Sequence, residues 1–258
     1  MKICVLIKQV ASEDSSIVLT DDKKTVKLEA LNLVSNEPDT YALEEALQLK
    51  EKSGGQVTVC TFGPESSRQV LKDALAKGAD KGIFILDEGI QNKSPIKIAQ
   101  IITEFIKNEN FDMILSGLQS NDQGFSQVGL LIAEFLNTSH ASLVMGTEII
   151  NDDSIKVKLE LENGWFQWSE LKLPASLTIQ SGINTPRYAT LPGIMSVKNK
   201  TVESYSKDDM SIDLNNDSYR VIEMFQPVKS KETKIIEGSN DDIVDEILDV
   251  LKNRIKVI

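Results

Sequence analysis

The residues of this chain whose types and spacing suit ligand chemistry fall in three short segments rather than in a catalytic cluster. The first is Ser35-Asn36-Glu37-Pro38-Asp39, ahead of an amphipathic stretch. Asn36 or Asp39 would cap a helix there, and the free N–H groups of its first turn would face the carboxyl edge of a sheet. A plain helix cap uses the same residues. The second runs from Gly117 through Leu118, Gln119, Ser120, Asn121, Asp122, Gln123, Gly124, Phe125, Ser126, Gln127 and Val128 to Gly129. A polar, glycine-bearing loop delivered by a strand and opening a helix places backbone amides where a phosphate can sit. Ser126 and Gln127 add side-chain hydrogen-bonding groups. The loop has neither the lysine of a phosphate-binding Walker loop nor the G-x-G-x-x-G spacing of a dinucleotide site, and an ordinary strand-to-helix turn is the alternative. The third covers residues 184–195, from Asn184-Thr185-Pro186-Arg187 to Ile194-Met195. Pro186 and Pro192 should hold it off helix and sheet, while Tyr188, Leu191, Ile194 and Met195 make it more apolar than a surface loop requires. Such a loop either anchors a partner protein or folds back to cap the core.

No acid–base pair, activated nucleophile or metal-ligand spacing emerges. The single His140 reads as a polar residue closing a helix-to-strand loop. The 28 basic and 39 acidic residues give a net charge of −11, which argues against nucleic acid as a main partner. The carboxylates read as solvated helix faces. No apolar run reaches the length of a membrane span, and the short run after Met1 reads as a buried strand, not a signal peptide. Cys4 and Cys60, each inside a β-branched run, suit a reducing cytoplasm.

The elements that must position these segments alternate. Strands are expected over residues 3–7, 57–61, 82–86 and 113–116, and helices over 41–52, 65–77, 94–107 and 124–136. In the first helix Ala42, Leu43, Ala46, Leu47 and Leu49 form one broad face, with Glu44, Glu45, Lys50 and Glu51 elsewhere. Gly54-Gly55 should end it. This order predicts an α/β fold of right-handed parallel βαβ units, whose ligands bind at the carboxyl ends of the strands. A hairpin is expected over residues 17–20 and 25–28. Another should span 155–161 and 165–171 about Asn163-Gly164, with Trp165, Phe166 and Trp168 as core or interface filler. A strand over 175–180 follows. Residues 199–240 are polar, and a final helix over 241–252 carries a stripe of Ile243, Ile247, Val250 and Leu251.

In order and spacing these segments resemble the β (small) subunits of electron transfer flavoproteins. The resemblance is carried by Lys2-Ile3-Cys4-Val5-Leu6-Ile7-Lys8-Gln9-Val10, by Asn36-Glu37-Pro38-Asp39 with Leu43-Glu44-Glu45-Ala46, and by Phe62-Gly63-Pro64 and the 117–129 loop. Its most specific part is Leu173-Pro174-Ala175 followed by Pro186-Arg187-Tyr188-Ala189-Thr190-Leu191-Pro192. It covers about residues 1–200. It implies a Rossmann-like parallel sheet of adenine-nucleotide-binding type, flanked by helices, with an added β-hairpin and an extended C-terminal tail. The division implied is residues 1–195 as the nucleotide-binding domain and 196–258 as an arm packing on the large (α) subunit.

The family further implies an electron carrier, not an enzyme. FAD is held mainly by the α subunit, and a structural AMP in this subunit touches Leu6, Asn36, Asp39, Phe62, Gly117, Asp122, Gly124, Phe125, Ser126, Gln127 and Val128. Residues 187–195, with Arg187, Tyr188, Ile194, Met195 and the anchor Leu191, would be the recognition loop for acyl-CoA or other dehydrogenases. Electrons would pass on to a membrane quinone oxidoreductase, in fatty acid oxidation for example. Val128 stands where AMP-binding members usually have threonine. Gln127-Val128-Gly129 also resembles the electron-bifurcating branch, which holds a second FAD at this place. A stand-alone nucleotide-binding protein of the stress type is the alternative from another class.

Overall fold

The computed structural model describes residues 1–90, 93–206, 209, 217, 219–227 and 233–257. Gln91, Asn92 and much of the polar segment expected over 199–240 lie outside the described residues. The elements in chain order are β1 (Lys2–Leu6), β2 (Gln9–Ala11), β3 (Leu33–Ser35), α1 (Glu37–Ser53), β4 (Gln56–Gly63), α2 (Arg68–Lys77), β5 (Lys81–Leu86), α3 (Pro95–Ile106), β6 (Met113–Gly117) and α4 (Val128–Leu136). They continue with β7 (Ser139–Asn151), β8 (Ser154–Glu160), β9 (Phe166–Lys172), β10 (Ala175–Ile179), α5 (Leu191–Ser196), β11 (Val202–Tyr205) and α6 (Asn240–Asp249). Met1–Met224 form one compact unit and Phe225–Ile258 a second.

The first unit is built on a nine-stranded sheet in the order β11-β5-β4-β1-β6-β10-β7-β8-β9. Its strands are parallel from β11 to β7, and β7, β8 and β9 are antiparallel. This is the Rossmann-like α/β sheet expected from the sequence. Strand β1 shows why the central runs are continuously apolar. Ile3, Val5 and Ile7 join the core beneath α1 and α2, while Cys4 and Leu6 join the core beneath α3 and α4. A parallel strand covered on both faces must be apolar at every position. After Gly54 ends α1, Gly55 passes so close to the first residue that a Cβ there would lie 1.9 Å from Met1 O. Its φ of +121° also favours glycine.

Several expectations are corrected. The 17–28 hairpin is shorter than expected: Leu19 bridges Val26, the Thr20 N–H donates to Thr25 O and the Lys27 N–H to Val18 O, and Ile17 and Val18 are exposed. Strands β2 and β3 pair instead. His140 lies inside β7 opposite Ser176, not in a loop. Pro192 does not keep its segment off helix. It sits in the first turn of α5, where its missing N–H is harmless, and Thr190 caps that turn by accepting the Gly193 N–H. The hairpin of β8 and β9 is as expected, and of the two places expected for Trp165, Phe166 and Trp168, core or interface, the core is ruled out. They are exposed on the edge strand, with Lys156 and Lys158 over the Trp168 and Phe166 rings. Strand β11, unforeseen, extends the sheet beyond β5.

In the second unit α6 begins with a reciprocal capping box between Ser239 and Asp242 and continues as a π-helical turn over Val250–Ile255. None of its residues is buried.

Phe84, fully buried on β5, fills the layer under α2, with the Arg68 guanidinium 4.1 Å from its ring centroid. Phe84→Ala is expected to cost about 3–5 kcal/mol in urea unfolding, from lost transfer energy and a residual cavity. Trp165→Ala, at a side chain 72% exposed, should cost less than about 1 kcal/mol in the same assay.

Candidate functional site

Strands β1 and β6 pair side by side at Ile3–Met113, Cys4–Ile114 and Val5–Leu115, then part. The Ile7 N–H donates to Cys60 O on one side (3.0 Å), and the Leu118 N–H donates to Ile179 O on the other (2.9 Å). The Asp39 carboxylate occupies the opening. One oxygen accepts the Lys8 N–H and the other the Gly117 N–H, each at 2.8 Å. Asp39 comes from the first turn of α1, and a Cβ on Gly117 would lie 2.6 Å from both Asp39 Oδ1 and Pro38 Cβ. Chain leaves β1 and β6 toward opposite faces here, so this is the sheet's switch point, the usual ligand crevice of such folds.

Neither Asn36 nor Asp39 caps α1 with its side chain. Asn36 instead fastens the 118–127 loop, donating to Gln119 O and accepting the Asn121 N–H, both at 2.9 Å. Lys8 Nζ holds the same loop from the β1 side through Asp122 Oδ1 (2.7 Å), Gln123 Oε1 (3.1 Å) and Ser120 Oγ (3.3 Å). The Ser126 hydroxyl donates to Gln119 Oε1. Ser126, at φ +54°, then turns the chain into α4.

Together these elements enclose an open-mouthed cavity with about 770 Å³ of empty space, solvent at its mouth included. That lies within the usual range of small-molecule sites, about 300–1,000 Å³. Of the residues expected from the sequence, Leu6, Asn36, Asp39, Phe62, Gly117, Phe125, Ser126, Gln127 and Val128 line it. Asp122 and Gly124 do not: Asp122 is turned to Lys8, and Gly124 lies on the exposed rim. The sequence reading missed Lys8, Cys60, Ser116 and a wall of Ile90, Ile98 and Ile102. The apolar stripe of α3 carried a signal for that wall, because one helix face must cover the carboxyl ends of β1 and β4. Ser116 Oγ had none, since its neighbour across the fold is Gly129, whose Cβ would stand 2.4 Å from it.

The donors suit a nucleotide. One wall is apolar, and Val128 offers no hydroxyl. The first turn of α4 leaves N–H groups without partners inside the helix. Ser116 Oγ is buried in the wall with no hydrogen-bond partner among the described residues. A buried hydroxyl without a partner costs stability unless a ligand or water completes it. Among the described residues no cluster of His, Cys, Asp and Glu is placed to hold a metal, and no helix is long and apolar enough to cross a membrane.

The third segment stands on the other side of α1. Asn184 Nδ2 donates to Tyr41 O (3.1 Å) and Glu45 Oε2 (3.0 Å). The Arg187 guanidinium bonds Glu44 through Nε (2.8 Å) and Nη2 (3.0 Å), and Glu51 through Nη1 (2.6 Å). Glu44 and Glu45 are therefore buried, not solvated as the helix pattern suggested; Gln48 also bonds Glu44, and Thr147 bonds Glu45. Burial pushes the Glu44 carboxyl up, but the Arg187 and Gln48 hydrogen bonds outweigh it and hold it below its usual value. Beyond Arg187 the loop turns outward, leaving Tyr188 92% and Leu191 71% exposed, with Ile194 and Met195 also exposed.

The model of the electron transfer flavoprotein domain matches residues 25–210. The chain is 35% identical over 259 residues to the electron transfer flavoprotein subunit beta of Methylophilus methylotrophus, covering 97% of this chain and 98% of that one. It is 32% identical over 261 residues to the subunit beta of Bacillus subtilis, covering all of both chains. It is 31% identical to the mitochondrial subunit beta of Oryza sativa subsp. indica, again over all of both chains.

Asp39 gives the crevice a pH signature. Burial pushes its carboxyl up from 3.8 to about 6, against the opposing pull of the Lys8 and Gly117 N–H groups and the Asn36 side chain. The folded-state value lies above the unfolded one, so the folded protein binds this proton more tightly between about pH 4 and pH 6. The contribution of Asp39 to stability is thus largest below about pH 4 and falls by about 3 kcal/mol as pH rises past 6. Asp39→Asn should lack this decline. Urea unfolding of both proteins from pH 4 to 7 checks it, and parallel profiles would refute the assignment.

Proposed function

The chain belongs to the electron transfer flavoprotein family, and from that premise we propose that its crevice holds a structural AMP and its 187–195 loop docks a dehydrogenase. In this reading it is the small subunit of a heterodimer. FAD, held mainly by the α subunit, would supply the electron-carrying chemistry.

One observation carries the nucleotide reading. The switch-point crevice joins an apolar wall to an amide-lined loop and keeps in its surface a buried hydroxyl, Ser116 Oγ, with no partner among the described residues. The base would lie against Ile98, Ile102 and Phe62, and the phosphate would take N–H groups from the first turn of α4 with Ser126 and Gln127 beside it. Lys8 is the one cation among the lining residues, and its pairing with Asp122 keeps the loop closed over the site.

The docking reading rests on an exposed apolar cluster, Tyr188, Leu191, Ile194 and Met195, on a segment tied down at both ends. A partner held by one such anchor leaves the flavin-bearing part of the complex free to move into electron-transfer distance. An acyl-CoA dehydrogenase would be the donor and a membrane quinone oxidoreductase the acceptor.

Co-expression of the chain with its α subunit tests this reading. A heterodimer on size-exclusion chromatography, a flavin band bleached by an acyl-CoA dehydrogenase and its substrate, and AMP released on denaturation are the expected results. Two flavins per heterodimer with NADH oxidation would replace AMP by a second FAD. A stable monomer or homodimer that binds ATP unaided would overturn the reading altogether.

A further inference from the structure

The polar stripe on α1 has no place in the nucleotide crevice, yet it contains two of the most deeply buried carboxylates in the chain. Glu44 and Glu45 each expose about 5% of their surface. Tyr41, Glu44, Glu45, Gln48 and Glu51 recur at helical spacing on one side of α1, and that side faces residues 184–187. Three kinds of bond meet there. Asn184 spans Tyr41 O and Glu45. The Arg187 backbone N–H and its guanidinium both bond Glu44. The outer edge of the guanidinium grips Glu51, an exposed side chain. Arg187 thus presents its planar fork to two carboxylates one to two helical turns apart, a geometry that a lysine cannot reproduce.

The far end of the loop is fixed by different means. α5 lies so close to α2 that a Cβ on Gly193 would stand 2.2 Å from Ala76 O. Lys200, just beyond, donates to Leu75 O and Ala79 O, both at 2.7 Å, at the end of α2. Between these two anchors Thr190 bonds locally, accepting the Gly193 and Ile194 N–H groups, and the exposed apolar residues stand on or beside this stretch.

We propose that Arg187, clamped between Glu44 and Glu51, is a positioning residue that presets the angle at which Leu191 is presented to its partner without itself touching that partner. The inference rests on the docking reading above and adds to it how the loop is held. A loop ordered before encounter loses less conformational entropy on binding, so the clamp acts on affinity for the partner and not on electron transfer within the complex.

The test uses the whole heterodimer as electron acceptor of an acyl-CoA dehydrogenase, with KM and the rate at saturating heterodimer read separately. Arg187→Gln is expected to raise KM about tenfold. Glu51→Gln breaks only the exposed half of the clamp and keeps the Glu44 pair. It should raise KM about two- to threefold, with the saturated rate and thermal midpoint of the unsubstituted heterodimer. Chymotryptic cleavage after Tyr188, followed without any partner, should be about tenfold faster in Arg187→Gln. Leu191→Ala separates the two readings. If it raises KM while Arg187→Gln and Glu51→Gln do not, the clamp proposal is overturned and the docking loop stands. If Leu191→Ala leaves KM unchanged, the docking loop itself is wrong and the clamp's role falls with it. Unchanged Tyr188 cleavage in Arg187→Gln also sinks the clamp.

Discussion

Where β1 and β6 part, the sheet faces a difficulty that backbone pairing alone does not solve. Their last N–H groups, on Lys8 and Gly117, point into the widening gap, where no strand can reach them. A buried N–H left unpaired costs about 1–3 kcal/mol. Asp39 meets both with one carboxylate. To do so α1 must begin directly against the end of β6, which requires glycine at 117. The position of α1 follows from that contact, and with it the entry of Asn36 into the 118–127 loop, the roof of the crevice and the start of α4. The crevice is thus the space left when two strand ends are held apart by a carboxylate.

This arrangement trades stability for shape. Asp39 lies away from water, and its hydrogen bonds do not fully offset the lost hydration, so its carboxyl titrates near 6. Ser116 Oγ, next to the Gly117 that Asp39 holds, is buried without a hydrogen-bond partner among the described residues. Both face the same cavity. In cores built only for packing such groups are scarce, and a carboxyl with a raised pKa beside an unpartnered hydroxyl makes this crevice a candidate site. Lys8 is less costly. It stays partly hydrated, and its ion pair with Asp122 acts as a positional tie on the loop.

The parallel core was legible because each strand is covered on both faces, so β1, β4, β5 and β6 stood out as apolar runs between helices of ordinary length. The loop joining β6 to α4 was legible as a candidate site from its glycines and amide side chains between a strand and a helix, and it does line the cavity. The functional burial of Glu44 and Glu45 was not legible. Helical periodicity placed them beside the apolar face, and contacts with Thr147, Asn184 and Arg187, 100 or more residues away in sequence, help to cover them. β11 was hidden in polar sequence because it is a parallel edge strand on β5, with its side chains partly in water. The 17–28 ribbon differs in the opposite direction: its alternation promised two full strands, but it pairs only about the Leu19–Val26 bridge, with Ile17 and Val18 exposed.

Helix α1 carries an unusual number of independent constraints for one element. Its apolar face, with Ala42, Leu43, Ala46, Leu47 and Leu49, packs on the sheet. Its first turn closes the switch point, and its polar side clamps the 184–187 segment. The two ends of this division meet different parts of the molecule, the crevice at Asn36 and Asp39 and the 184–187 segment at Glu44 and Glu51. Rigid coupling between them is a consequence of geometry, because a helix held along its length cannot tilt at one end alone. A change that loosens the Asp39 wedge would therefore be felt at Glu44 within two turns, while a change confined to the exposed tip at Leu191 would not be felt at the crevice. The asymmetry follows from the anchoring: the crevice and the clamp share one helix, while the tip at Leu191 stands out in solvent.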